Sequence, residues 1–310
     1  GKLIVGIVLV GMGLGWVGAT IGYATSYLIN LAVMLAYSLR LASPLAAPSP
    51  THLVEVLRAG LATWIPSMVA LAGQWLSVLF IYGVSSPSTT GRFYAAFAIS
   101  NAVIFLATSV LSLLLPVLSG MKDGRKRATD RILKAVLSLA TPVAAFLIAR
   151  PEVVLSLLGE EYVQASTDLR ILLLGLIPLS VTAAVVRLIY AYGDYGKVTA
   201  IGLFQNVPRI VSYGILAPLM GSIGVSASYT LGALTGMAAS IFYGRKSGYA
   251  VDLKRVAIVA AVPAALMAIA SQACWPVTLI LAAASYPIYL KLGVVSADDV
   301  REIGRSILSR

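Results

Sequence analysis

The chain has 310 residues, of which 59% are hydrophobic and only 11% charged, with a formal net charge of +11. A mean hydropathy of +0.92 excludes a soluble globular domain, because too little polar surface exists to cover one. The lone Cys274 excludes a disulfide framework or thiolate metal site, and the lone His52, in a Pro-rich loop, has no companion for metal binding or catalysis.

Ten long stretches nearly free of charge follow one another: residues 3–16, 17–39, 58–82, 93–119, 131–149, 165–192, 195–219, 222–244, 255–272 and 274–293. Most approach the roughly 20 apolar residues that a helix needs to cross a bilayer core. The pattern predicts an all-α polytopic membrane protein with about ten transmembrane helices. Residues 3–29 do not read as a signal peptide, since no A-x-A site occurs and a second apolar stretch follows at once.

The gaps alternate in charge. With Lys2 placed in the cytoplasm, the cytoplasmic gaps receive Arg40 and Arg58, the run from Lys122 to Lys134, Lys197, the Arg245–Arg255 group, and Lys291 with the tail arginines Arg301, Arg305 and Arg310. The opposite gaps hold only Arg92, Arg150 and Arg170. The positive-inside rule then predicts a multi-pass protein of the cell membrane with both ends of this chain cytoplasmic. The basic charge reads as a topology signal in contact with anionic headgroups, so the bilayer is a partner and nucleic acid is not.

Shifted by 206 residues, the chain matches itself. V-G-A-T-I-G-Y from Val17 to Tyr23 lines up with I-G-V-S-A-S-Y from Ile223 to Tyr229, and Gly15 with Gly221, Gly18 with Gly224 and Arg40 with Lys246. Both copies run in the same direction, which predicts parallel six-helix units in a two-lobed transporter. The expected organisation is residues 1–41 as the last two helices of the N-terminal lobe, 42–57 as a Pro-rich linker, and 58–244 as the C-terminal six-helix lobe. Residues 245–310 would form a terminal helix pair and cytoplasmic tail. The first lobe then lacks four helices, expected upstream of Gly1.

Five motifs stand in order on this topology: Arg58–Pro66 (R-A-G-L-A-T-W-I-P), Thr90–Ile99 (T-G-R-F-Y-A-A-F-A-I), Leu114–Ser119 (L-L-P-V-L-S), Leu157–Ala165 (L-L-G-E-E-Y-V-Q-A) and Ala217–Ser228 (A-P-L-M-G-S-I-G-V-S-A-S). Together they resemble the polysaccharide flippase branch of the multidrug/oligosaccharidyl-lipid/polysaccharide exporter superfamily, over helices five to fourteen of a fourteen-helix pattern. The resemblance implies alternating-access transport of a polyprenyl-phosphate- or diphosphate-linked oligosaccharide, with glycan-assembly enzymes as further partners.

A charge in the hydrocarbon core costs roughly 2.5–3.5 kcal/mol on insertion scales, so each one needs a reason. Arg209 sits mid-span, and at helical spacing Gln205, Asn206, Arg209, Ser212 and Tyr213 share one face beside Pro208. The functional reading is a stripe lining a wet cavity, with the guanidinium holding a phosphate through two hydrogen bonds. The rival reading is a structural network between helices. Arg187 lies within snorkelling reach of the interface. Gln74, on a stripe with Gly60, Thr63, Ser67 and Ser77, and Asn101, with Ser109 and Ser112, could face the same cavity or simply mark close packing. Arg92 at the external mouth could meet a sugar or phosphate, or be a solvated helix end.

The acidic segment Glu152–Asp168, with adjacent Glu160 and Glu161, reads as a solvated loop rather than a glycosidase pair. No catalytic motif occurs, so the chain reads as a transporter, not an enzyme, and no cofactor or metal is implied. Two rivals remain open. A cation-coupled multidrug exporter of the same superfamily wants a mid-span acid, and none is present. A membrane-bound polysaccharide-synthesis enzyme wants a large catalytic loop, and the longest gap is short.

Overall fold

A computed structural model describes residues 2–41, 50–270 and 273–293. The expected linker residues 42–49 and the tail 294–310, with Arg301, Arg305 and Arg310, lie outside the described residues, as do the side chains of Lys2, His52 and Thr63. Every element among the described residues is helical. Six helical segments there are long and apolar enough to cross a membrane: Thr20–Arg40, Val54–Val84, Pro87–Gly120, Arg125–Ala149, Glu160–Ala191 and Tyr195–Lys246. The chain divides into two compact units, Gly1–Val56 and Leu57–Arg310.

In the first unit, a π-type turn at Val10–Leu14 joins α1 (Lys2–Leu9) to α2 (Gly15–Leu41). Gly15 adopts φ 49°, ψ −130°, a conformation that a side chain would strain. Gly18 lets α2 approach α1, since a Cβ there would lie 2.8 Å from the carbonyl carbon of Leu9. Ile4, Met12, Tyr27, Leu28 and Leu31 are exposed. An all-round apolar surface of this kind suits a helix solvated by lipid tails.

α3 (Pro50–Val84) leads into the second unit, which continues with α4 (Pro87–Ser112), α5 (Leu114–Gly120), α6 (Arg125–Ala149), α7 (Pro151–Leu155), α8 (Ser166–Leu173) and α9 (Leu176–Ala191). Then come α10 (Tyr195–Lys246), α11 (Leu253–Ile269), α12 (Trp275–Ala283) and α13 (Ser285–Lys291). Proline explains where the apolar stretches break. A proline lacks the N–H that would bond the carbonyl four residues back. Pro116, Pro178 and Pro287 thereby release the carbonyls of Ser112, Leu174 and Ala283, and the α4–α5, α8–α9 and α12–α13 breaks fall at those positions.

At two interior prolines a side chain from another rod caps the released carbonyl and the helix continues. Thr235 Oγ1 donates to Phe204 O at 2.8 Å, the carbonyl freed by Pro208. Tyr289 Oη donates to Val259 O at 2.7 Å, the carbonyl freed by Pro263. The expected stretches 195–219 and 222–244 both belong to α10, whose 52 residues are interrupted at Gly221 (φ 58°, ψ −133°).

The core of this unit lies where α4, α6, α8, α9 and α10 pack together. Leu111, Leu114, Leu137, Leu172, Val181, Val185 and Leu188 are fully buried there. The N-terminus of α4 is set by Ser86, whose Oγ accepts from Thr89 N at 3.2 Å, with Pro87 in the first turn.

Candidate functional site

Two adjoining cavities open among α3, α4, α9 and α10. The larger is about 710 Å³, and its polar lining includes Thr108, Arg187, Tyr190, Gln205 and Asn206. The smaller is about 310 Å³, with Gln74, Asn101 and Arg209 on its walls. Ser67, Ala70 and Tyr229 line both, so Tyr229 stands at the boundary between them. Among the described residues no acidic side chain lines either cavity.

Glycines make the seam between the helices possible. A Cβ at Gly202 would clash with the ring of Pro66 on α3. At Gly232 it would lie 2.6 Å from both Arg209 Cβ and Gln205 O, and at Gly236 2.8 Å from Gln205 Cβ. The second rod of α10 thus presents a smooth groove in which Gln205 and Arg209 of the first rod lie.

Arg209 is 6% exposed. Its Nη2 donates to Ala70 O on α3 at 3.0 Å, and the guanidinium carbon stands 5.4 Å from the centre of the Tyr229 ring. Nε has no hydrogen-bond partner among the described residues. The expected single stripe therefore divides: Gln205 and Asn206 line the larger cavity, Arg209 the smaller, and Ser212 and Tyr213 neither. Tyr213 is fully buried, 6.2 Å from Phe80 ring to ring. The division follows from rise along the helix. One turn separates Gln205 from Arg209, and the side chain of Tyr229 occupies that level.

Arg187 is the one charged residue among those lining the larger cavity. It is half-buried, and its Nη1 donates to Ala183 O at 3.0 Å, one turn back on α9. No carboxylate pairs with it among the described residues. Asn206 gives its Nδ2 to Gly202 O at 2.7 Å, while its Oδ1 is buried without a partner among the described residues. That atom can take one more donor, and a buried acceptor left unmet costs about 1–3 kcal/mol.

Asn101 accepts from Tyr229 Oη at 3.4 Å on the wall of the smaller cavity. Gln74 is exposed there, whereas Ser77 of the same stripe is fully buried and bonds Gln74 O at 2.6 Å, a packing role. Arg92 lines neither cavity. Its guanidinium holds Gln164 Oε1 and, at 3.2 Å, Thr89 Oγ1, tying α4 to the Glu160–Ala165 segment.

Residues missed in the sequence also come into view. Tyr229 touches Asn101, Arg209 and, edge-on at 5.5 Å, Phe97. Its signal was present as Tyr in the repeat, read there only as a register mark. Asp168 corrects the picture of a solvated acidic segment. Glu160 and Glu161 are exposed, but Asp168 is buried and accepts from Ser222 Oγ at 3.0 Å and Ser226 Oγ at 2.8 Å.

Chemically, the cavities combine amides, hydroxyls, aromatic faces and two guanidinium groups with no carboxylate, an environment matched to a polar anionic group rather than a cation. Residues 3–294 match the family described as lipid II flippase MurJ. No curated protein matches the chain. A solved structure titled lipid II flippase MurJ, inward closed conformation, superposes with a TM-score of 0.72 at 15% identity, covering 100% of this chain and 67% of that chain. The likeness establishes the fold.

Proposed function

The chain belongs to the lipid II flippase MurJ family, and from that premise we propose that it carries a polyprenyl-diphosphate-linked saccharide of the lipid II type between membrane leaflets. The family lies within the exporter superfamily that the five motifs resemble, and its branch is the lipid II one. Its members are membrane transporters of lipid-linked precursors, not enzymes. The finer reading concerns cargo and route: the saccharide and phosphates enter the larger cavity while the lipid tail stays in the bilayer.

The observation that carries this reading is Arg187, a half-buried arginine on the wall of a cavity of about 710 Å³ with no acid beside it. A guanidinium so placed needs an anion, and a diphosphate supplies bidentate acceptors. Gln205 and the hydroxyls of Thr108 and Tyr190 offer partners for sugar hydroxyls. Arg209 adds positive potential behind the Tyr229 ring while pinning α3 through Ala70. Alternating access would come from rocking of the lobe at 58–244 against its partner lobe, with both chain ends cytoplasmic.

The test is translocation in proteoliposomes reconstituted with a fluorescent polyprenyl-diphosphate saccharide. Losing one charge-assisted contact of about 1.5–3 kcal/mol predicts roughly 10–100-fold slower flipping for Arg187→Ala, with partial recovery in Arg187→Lys. Equal rates for Arg187→Ala and the parent would refute the assignment of the cargo's anion to this cavity.

A further inference from the structure

We propose that the basic cleft at the turn between α5 and α6 is a binding site for the phosphodiester headgroup of an anionic membrane lipid. The cleft is open and about 780 Å³ in volume, with Lys122, Arg125, Lys126 and Arg127 facing one acid, Asp123, and Tyr192 of the α9–α10 turn as a wall. It lies between the ends of two membrane-crossing segments, Pro87–Gly120 and Arg125–Ala149, which sets it at headgroup depth.

Concentration in one cleft distinguishes this cluster, because several other basic residues near the loops are paired with acids. Lys134 is bonded to Asp130, Lys197 to Asp194 at 2.6 Å, and Arg255 to Asp252 at 3.1 Å. Among the described residues none of the four cleft cations is in an ion pair. Net positive charge is therefore gathered in one concavity, with four cations against a single acid.

A topology signal needs only charge in a solvated loop, yet Arg125 is held in place. Its Nε donates to Met121 O at 2.8 Å and its Nη1 to Ala191 O at 2.9 Å, with the guanidinium 5.5 Å from the centre of the Tyr192 ring. The Lys126 ammonium lies close to the α10–α11 turn, since a Cβ on Gly248 would be 2.9 Å from its Nζ. A fixed guanidinium with further cations beside it at the bilayer surface suits a phosphate that is itself confined to that surface, whose local concentration far exceeds that of free phosphate. The site is independent of the transport cavity and of the cargo assigned to it.

The experiment uses the whole chain in an uncharged detergent, with bound lipids counted by native mass spectrometry during titration with phosphatidylglycerol or phosphatidylcholine. The expected result is one phosphatidylglycerol retained in preference to phosphatidylcholine, with affinity lowered about 10-fold in Lys126→Gln/Arg127→Gln. Removing the same charge at Arg245 and Lys254, outside the cleft, leaves affinity within about twofold. Arg125→Lys keeps the charge but loses the fork of bonds, and it weakens retention of phosphatidylglycerol. Equal weakening by the Arg245/Lys254 variant, equal retention of phosphatidylcholine, or displacement by an equal concentration of inorganic phosphate would each overturn the proposal.

Discussion

The turn at Gly15 and the turn at Gly221 share one backbone and differ in nearly everything around it. Gly15 has φ 49°, ψ −130° and Gly221 φ 58°, ψ −133°, and these are the two glycines that the 206-residue shift superimposes. Three residues on, Gly18 and Gly224 each press against the preceding rod, the first against Leu9 and the second against the carbonyl of Leu216. The surroundings diverge. Tyr23 is 54% exposed while its counterpart Tyr229 is 8% exposed among Phe97, Asn101 and Arg209. At the positions of Gly232, Thr235 and Gly236 the first copy has Ser26, Ile29 and Asn30. Local sterics dictate the turn, and among the described residues the groove, the Thr235 cap and the cavity wall belong to the second copy.

The comparison can be broken most severely at its glycines. Gly224→Val places side-chain atoms inside Leu216 O and is expected to abolish recovery of folded protein, an overpacking loss of about 3 kcal/mol or more. Gly221→Ala and Gly15→Ala should each cost about 1–3 kcal/mol, and equally, because both leave a glycine-only conformation. Thermal unfolding in detergent measures this. A cost at only one of the two positions would break the equivalence.

A smaller effect belongs to the second copy alone. Asp168→Ala strips Ser222 and Ser226 of their acceptor and is expected to destabilise by about 1–3 kcal/mol. Thr235→Val should cost about 1 kcal/mol by uncapping Phe204 O, whereas Ile29→Val in the first copy has no carbonyl to uncap.

The smallest effect depends on pH. The hydrogen bond from the Lys197 ammonium to Asp194, aided by charge attraction, holds that carboxyl below the ordinary carboxylate range. A depressed folded value contributes stability above the unfolded value of 3.8, and that contribution fades as pH falls through the folded value. Asp194→Asn should therefore lower the thermal midpoint slightly at pH 7, and the gap to the parent should close on acidification below pH 3.8.

Much of the fold was legible because lipid imposes a simple rule on sequence: long uncharged runs, with cations at their ends. The ten stretches and the Gly221 turn follow from it. The breaks inside the stretches were legible in principle, since each falls one turn before Pro116, Pro178 or Pro287. The site was legible only in part. Arg209 and Arg187 announced themselves as charges in apolar runs, but a helical stripe does not say what fills the level beside it. Tyr229, from the other rod of the same helix, divides the stripe between two cavities. Gly202 and Gly232 gave no signal, because their role is what their missing Cβ permits on Pro66 and Arg209. Asp168 read as solvated because the serines that bury it lie 54 and 58 residues away in the chain.

The cargo assignment is tested most directly by photocrosslinking from the cavity wall. A benzophenone amino acid replacing Thr108, which lines the larger cavity together with Arg187, should label a radiolabelled polyprenyl-diphosphate saccharide in membranes. The same group replacing the 81% exposed Leu157 should not, and excess unlabelled cargo should compete the adduct away. Adducts of equal yield at both positions, or none at Thr108 in a protein that still transports, would contradict the account.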